Sequence, residues 1–258
     1  MLLYPNAKLN LGLDIVEKRP DGFHNIETLF IPCDLRDILE IVPSDTLDMY
    51  QYGISYDGDP MDNLCVRAWK VLNERYGIPP VSIYLYKKIP VGAGLGGGSS
   101  DASHTLLALN EMFSLDLNLE ELAELAALLG SDCPFFIYNT PMLASGRGEI
   151  LTPFDIDLSK WRIEIITPDI FVSTREAYAG VRPKKPEIPL EKILRSPVQE
   201  WRSHLKNDFE ESVFAAHPQL AAEKQALYER GAVYASMSGS GSSLFGLFSQ
   251  PLNGLSYR

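Results

Sequence analysis

The stretch that decides the fold is residues 90–103, Pro-Val-Gly-Ala-Gly-Leu-Gly-Gly-Gly-Ser-Ser-Asp-Ala-Ser. Glycine loses more conformational freedom on folding than any other residue, so such a run indicates left-handed backbone or the close approach of a large ligand. Residues 81–86 before it alternate as a half-buried strand does, and apolar residues at helical spacing follow it. The order is therefore strand, glycine loop and helix start.

This order predicts an anion-binding site, because unpaired backbone N–H groups and the positive end of the helix dipole converge on one point. Residues 99–101, Ser-Ser-Asp, are favourable at a helix start. Gly92, Gly94 and Gly97 match the dinucleotide pattern, but two helical segments follow where that fold requires a second strand. No lysine follows the glycines, so the Walker motif is absent. A flexible linker is a weak alternative between a strand and an amphipathic helix.

The net charge and the cysteine pattern restrict what this protein can bind and where it works. The chain has 258 residues and a net charge of −11, which argues against nucleic acid or an anionic membrane as the main partner. An anionic substrate would then need local lysine or arginine side chains. Cys33, Cys65 and Cys133 form no disulfide or metal pattern, which predicts a reduced, cytoplasmic protein. The sequence shows no signal peptide and no apolar run of a membrane span.

Other candidate residues lie in segments far apart in the chain. An alternating strand over residues 2–16 places Lys8 and Asn10 on the face opposite its leucines. Asp132 lies in a loop that we expect between a helix and an apolar strand, and on local grounds it is an ordinary turn residue. A second Gly/Ser loop at 237–243 has strand-like flanks and is a tight turn or a second wall for the same ligand. Polar residues 155–160 predict a boundary between two domains, 1–157 and 158–258.

Three segments, in this order and at these separations, resemble those of the GHMP kinases, the family of galactokinase and of homoserine, mevalonate and phosphomevalonate kinases. They are residues 5–13, 90–102 and 237–245. Three others resemble the branch of that family that acts on a cytidine-linked sugar alcohol in non-mevalonate isoprenoid synthesis, and these are residues 19–24, 130–136 and 168–174. The resemblance implies an α+β fold with an N-terminal domain like domain 2 of ribosomal protein S5, a ferredoxin-like C-terminal domain and a cleft between them.

The reaction that the resemblance implies is transfer of the γ-phosphoryl group of ATP, with Mg²⁺, to the 2-hydroxyl of that sugar alcohol. Asp132 matches the family's catalytic base, and Lys8 matches the lysine that keeps it ionised. The adenine would lie near Asn63 and Leu64. The triphosphate would be held by Pro90, Val91, Gly92, Ala93, Gly94, Leu95, Gly96, Gly97, Gly98, Ser99 and Ser100. No direct ligand of Mg²⁺ is assigned.

Recognition of cytosine, a flat ring with a donor–acceptor edge, calls for aromatic stacking and one hydrogen-bonding group. By resemblance His24 supplies the edge, and Phe23 and Tyr178 supply faces. Asn10 and Thr174 are candidate contacts to the hydroxyl or phosphate groups of the substrate. Core packing is the alternative for the two aromatic rings, and a solvated turn is the alternative for His24. Phe23 stands where relatives often have tyrosine, so it keeps the ring face and lacks the hydroxyl.

Three other functions compete with this prediction. A GHMP kinase for a mevalonate- or homoserine-like alcohol would share the glycine loop but have no base to stack on Phe23 and His24. A nucleotide-dependent oxidoreductase would use the dinucleotide pattern and would need the missing second strand. A catalytically inactive nucleotide-binding module would have no use for Lys8 and Asp132 together.

Overall fold

The structure is a computed structural model that describes residues 1–54 and 58–249. Its strands are β1 (Leu2–Leu3), β2 (Asn6–Lys18), β3 (His24–Arg36), β4 (Ile38–Pro43), β5 (Asp48–Gly53), β6 (Val81–Lys87), β7 (Met142–Ser145), β8 (Ile150–Pro153), β9 (Trp161–Ile166), β10 (Tyr234–Met237) and β11 (Leu244–Ser249). Its α-helices are α1 (Leu64–Tyr76), α2 (Gly97–Met112), α3 (Leu119–Ala127), α4 (Cys133–Tyr138), α5 (Thr174–Ala179), α6 (Leu190–Leu194), α7 (Val198–His204), α8 (Phe209–Ala216) and α9 (Pro218–Glu229). The mixture of helices and strands confirms the predicted α+β class.

The described strands form three sheets with the orders β1-β4-β6-β5, β2-β3-β7-β8 and β10-β11-β9. Within them β5 and β6 pair in parallel, and the other pairs are antiparallel. The long hairpin of β2 and β3 carries Lys8 and Asn10 on one strand and His24 at the start of the other. This hairpin therefore reaches from the glycine loop to the predicted substrate end.

The predicted strand, glycine loop and helix are present as β6, residues 88–96 and α2. Val81, Ile83 and Leu85 are buried on one face of β6, as the alternation predicts. The helix begins at Gly97, two residues before the serines that the sequence favoured. Gly96 precedes it with a left-handed φ of 70°, a conformation that glycine adopts without steric cost, so the chain turns into the helix directly from the loop.

The segment after Asp132 was predicted as an apolar strand, and this prediction is wrong. Residues Cys133–Tyr138 form the short helix α4, with Pro134 in its first turn, where a missing N–H costs no hydrogen bond. A short apolar run has the same pattern in a buried strand and a buried helix. The consequence is that Asp132 lies at a helix N-terminus.

A hydrophobic cluster links the two parts of the chain on either side of residue 157. Leu9 and Leu11 of β2 pack in the same buried cluster as Trp201, Tyr234 and Phe245 of the C-terminal part. The predicted boundary near residue 157 stays a prediction. Within the described ranges, no helix combines the length and the apolar character of a membrane span.

Candidate active site

A cleft of about 810 Å³ lies beside the glycine loop and receives side chains from both parts of the chain. Among the residues predicted from the sequence, those that line it are Lys8, Asn10, Phe23, His24, Asn63, Leu64, Pro90, Val91, Gly92, Ala93, Gly94, Gly96, Gly97, Gly98, Ser99, Asp132, Thr174 and Tyr178. Leu95 and Ser100 are buried behind this surface. The carbonyl of Leu95 accepts from the backbone N–H of Lys8 at 2.9 Å, and the Ser100 hydroxyl faces His104 within α2.

The glycine loop has the left-handed backbone that the run of glycines indicates. Gly92, Gly94 and Gly96 have φ values of 69°, 77° and 70°. A Cβ at Gly94 would collide with the carbonyl oxygen of Ser238. Gly96, which has no side chain, occupies the N-cap of α2, so no cap side chain competes for the N–H groups of the first turn. This end of the cleft presents backbone donors to an anion.

The second Gly/Ser loop holds the first loop from the C-terminal side. The Ser238 hydroxyl donates to the Gly94 carbonyl at 2.9 Å, and the Ser243 N–H donates to the Ala93 carbonyl at 3.2 Å. Gly239 of this loop also lines the cleft. Of the two alternatives left open by the sequence, a plain turn or a wall of the same site, these contacts favour the second.

Lys8 links the glycine loop to Asp132. Its ammonium group donates to Asn10 Oδ1 at 2.7 Å and to the Gly94 carbonyl at 3.1 Å, and it lies 3.4 Å from Asp132 Oδ2. An ammonium has three N–H donors, so these three acceptors match its capacity. The Lys8 side chain is 4% exposed, whereas that of Asp132 is 34% exposed. The carboxylate therefore faces the cleft and the lysine supports it from behind.

The neighbours of this pair restrict its chemistry. Both polar atoms of the Asn10 amide are already hydrogen-bonded. Its oxygen accepts from Lys8, and its nitrogen donates to the Thr28 hydroxyl at 3.0 Å. Burial raises the pKa of the Cys133 thiol to about 11, so this cysteine stays protonated beside Asp132. Of Asn10, Cys133 and Asp132, only Asp132 is thus available to accept a proton from a ligand in the cleft.

The other end of the cleft is aromatic. The rings of His24 and Tyr178 are stacked in direct contact at 4.6 Å, with 17° between their planes, so a base does not fit between them in this arrangement. Tyr178 also contacts Phe209 edge to face at 4.8 Å. Phe23 is 53% exposed, and the guanidinium of Arg147 lies 4.9 Å from its ring centre. The exposed Phe23 ring is therefore the one on which a base can stack, because the ring of Tyr178 is covered by His24 on the side where the two meet.

At the aromatic end of the cleft, the pKa values of His24 and Tyr178 are both shifted in the direction that keeps these side chains neutral. Burial, with the charge of Lys18, lowers the pKa of His24, so its imidazole is neutral at pH 7. Burial and the nearby charge of Asp132 raise the pKa of Tyr178, which keeps its hydroxyl protonated. A neutral imidazole offers one donor and one acceptor, which suits the edge of a pyrimidine base.

Five charged residues that line the cleft were not predicted as site residues: Asp62, Lys87, Asp101, Arg147 and Arg175. Arg147 lies at the turn between β7 and β8, where an isolated arginine has no periodic signal. Lys87 did carry a signal, since it shares the buried face of β6 with the apolar residues of that strand. A charged residue in such a pattern indicates a buried partner.

Two family models match this chain: "GHMP kinases N terminal domain" over residues 63–140 and "GHMP kinases C terminal" over residues 190–253. A 4-diphosphocytidyl-2-C-methyl-D-erythritol kinase of Bacteroides thetaiotaomicron is 52% identical over 252 residues, which cover 96% of this chain and 92% of the relative. This chain belongs to the 4-diphosphocytidyl-2-C-methyl-D-erythritol kinase family of GHMP kinases. Membership in this kinase family implies the use of ATP, and the oxidoreductase alternative is wrong.

Solved structures agree with this family. A crystal structure of a 4-(cytidine 5'-diphospho)-2C-methyl-D-erythritol kinase is 35% identical with a TM-score of 0.80, and the match covers 96% of this chain and 90% of that one. A mevalonate kinase structure has a TM-score of 0.69 at 15% identity, covers 96% of this chain and 91% of its own, and shows the fold alone. The predicted GHMP kinase fold is confirmed.

Proposed function

We propose that this enzyme transfers the γ-phosphoryl group of ATP to the 2-hydroxyl of 4-diphosphocytidyl-2-C-methyl-D-erythritol. The observation that carries the proposal is the 3.4 Å contact of Lys8 Nζ with Asp132 Oδ2, in a cleft that has the glycine loop at one end and aromatic rings at the other. Phosphoryl transfer depends on positioning and on stabilisation of charge more than on covalent protein chemistry. Both requirements are met by groups in this one cleft.

At the nucleotide end, the backbone N–H groups of residues 96–99 bind the phosphates, and Asn63 and Leu64 border the adenine. Mg²⁺ is typically held by one or two carboxylates together with waters and substrate phosphates. The Ser99 hydroxyl and the Asp132 carboxylate, which both line the cleft, are oxygen donors of the kind that this ion takes. They would hold Mg²⁺ together with the phosphates, where it neutralises the charge of the transferring group.

At the acceptor end, Asp132 accepts the proton of the attacking hydroxyl, and Lys8 stabilises the negative charge that gathers beside the transferring group. His24 binds the edge of the cytosine, and Phe23 stacks on its face. Arg147 and Arg175 are exposed cations that line this end. They supply the positive charge that a protein with a net charge of −11 needs to bind a diphosphate. Thr174, at the start of α5, contacts a hydroxyl or phosphate.

An assay of ADP release tests this function. Purified enzyme is given ATP, Mg²⁺ and one of four acceptors: the cytidyl sugar alcohol, the free sugar alcohol, mevalonate or homoserine. We expect efficient turnover with the cytidyl compound only, because the aromatic end has no partner in the other three. Comparable kcat/KM for mevalonate or homoserine would contradict the assignment. The domain division at residue 157 and the cytoplasmic location stay predictions.

A further inference from the structure

Asp37, which lies between β3 and β4, is fully buried and does not line the cleft. Its Oδ1 accepts from the backbone N–H groups of Lys88 at 2.6 Å and Ile89 at 2.9 Å. These are the residues that lead from β6 into the glycine loop. The start of the loop is thus attached to a carboxylate that comes from a distant part of the chain.

The same carboxylate is connected to the end of the loop through Lys87. The Lys87 ammonium binds Asp37 Oδ2 on one side and Asp101 Oδ2 on the other, the latter at 2.7 Å. Asp101 belongs to α2, where it follows the first turn and lies three residues after the last glycine of the run, Gly98. All three side chains are at most 2% exposed. A single buried network therefore joins both ends of the glycine loop.

The charges of this network are unequal, since two carboxylates face one ammonium. Burial raises the pKa of Asp101 to about 7, and its Oδ1 has no hydrogen-bond partner among the described residues. Replacing buried ion pairs by apolar side chains is often neutral for stability. Stability is therefore a weak reason for such a cluster, whereas its hydrogen bonds to the ends of one loop fix the geometry of that loop.

We propose that Asp37 is a positioning residue for the nucleotide. It holds the two ends of the glycine loop at a fixed separation through Lys88, Ile89 and the link from Lys87 to Asp101. With both ends fixed, the backbone N–H groups of the loop and of the first turn of α2 point at one place. Asp37 acts on the phosphates only through this backbone. The inference rests on the proposed binding of ATP at this loop.

The decisive comparison is between Asp37→Ala and Asp37→Asn. Alanine removes the acceptor of both loop N–H groups, whereas asparagine keeps one oxygen for them and loses only the contact with Lys87, whose ammonium stays bound to Asp101. We expect the Kd for ADP, measured by calorimetry, and the KM for ATP to rise about tenfold in Asp37→Ala, equivalent to ~1.4 kcal/mol. In Asp37→Asn both should stay within about threefold, and the KM for the cytidyl acceptor should change less than about twofold in either variant.

Leu220→Ala is the matched control, because Leu220 is fully buried in α9, in a hydrophobic cluster that includes no residue of the glycine loop, and its truncation lowers stability. It should lower Tm and leave the Kd for ADP unchanged. A lowered Tm with an unchanged Kd for ADP in Asp37→Ala would overturn the inference. An equal rise in both KM values would also overturn it.

If Asp37→Ala does not fold, Asp101→Ala tests the same network. It releases the end of the loop but leaves the Lys87–Asp37 pair balanced in charge. We expect the Kd for ADP to rise at least about threefold, and Asp101→Asn, whose amide oxygen still accepts from Lys87, to restore it. Unchanged ADP affinity in Asp101→Ala would refute the network's role. Failure of the unmodified enzyme to use the cytidyl acceptor would refute the proposed function instead, because ADP affinity is measured without an acceptor.

Discussion

The two ends of the cleft are built in different ways. The nucleotide end consists of backbone N–H groups held from behind by buried side chains such as Lys8, Asp37 and Ser238. The acceptor end consists of exposed or half-buried side chains from separate segments, among them Phe23 and Arg147. Backbone donors bind any polyphosphate, whereas side chains select one acceptor. The common chemistry of the family therefore belongs to the first end and the choice of substrate to the second.

Asp132, where the two ends meet, should give the largest effect. In Asp132→Asn the side chain keeps its shape and cannot accept a proton, so we expect kcat to fall by about 10²–10⁴-fold, the usual contribution of a general base. The Kd for ADP measured without Mg²⁺ should stay unchanged, because the loop is intact. Rapid-quench or ADP-release kinetics with calorimetry give both values. Asp45→Asn, on an exposed turn, is the control, and near-normal kcat in Asp132→Asn would remove Asp132 as the base.

Gly94→Ala should disturb the nucleotide end selectively. A Cβ there meets the Ser238 carbonyl, and the φ of 77° is unfavourable for alanine, so the loop has to move. We expect kcat/KM for ATP to fall about 100-fold, since displacement of a positioning group by about 1 Å has effects of this size. Steady-state kinetics with ATP varied at saturating acceptor measure it.

Gly77→Ala is a matched control for this prediction. Gly77 also has a left-handed φ, 64°, at the C-cap of α1, but open space surrounds its Cβ position. It should lose about 1 kcal/mol of stability and keep normal kinetics. If Gly94→Ala behaves in the same way, close contact between the two loops is not needed for nucleotide binding.

The contrast between a nucleotide end built from backbone and an acceptor end built from side chains explains which parts of the site the sequence could predict. The glycine loop follows from its composition and from the strand and helix around it, because local backbone geometry is encoded locally. The contact of His24 with Tyr178 has no local signal, since the two residues come from β3 and α5 and meet only in the folded chain. The roles of Lys8 and Asp132 came from the family resemblance. Asp37 was missed because a lone Asp between two strands has the pattern of an ordinary turn.

His24→Ala should disturb the acceptor end alone. The imidazole supplies a donor and an acceptor for the base, so its loss should raise the KM for the cytidyl acceptor about tenfold or more. The KM for ATP should change less than about twofold, because the side chain does not touch the nucleotide end. His204→Ala, at the C-terminal end of α7, is the control. Equal increases in both KM values would mean that the two ends do not act separately.

The buried carboxylates behind the two ends also differ. At the nucleotide end Asp37 and Asp101 share the Lys87 ammonium. Behind the acceptor end, Asp14 of β2 is 5% exposed and faces Asp208, Glu27 and Lys206. Lys206 is engaged with Asp208 at 2.8 Å, so Asp14 has no cation of its own among the described residues. Burial, with Asp208 next in importance, raises the pKa of Asp14 to about 6.

This difference predicts a small, pH-dependent gain from Asp14→Asn. The folded pKa of about 6 exceeds the ordinary value of 3.8, so between these values the folded chain binds more protons and the free energy of unfolding falls as pH rises. Asparagine removes that loss, so thermal denaturation at about pH 7.5 should show a gain of about 1–3 kcal/mol, which disappears near pH 4. Asp45→Asn, at an exposed turn, is the control for the substitution itself. A gain that is the same at both pH values would mean that packing, not the buried charge, limits stability behind the acceptor end.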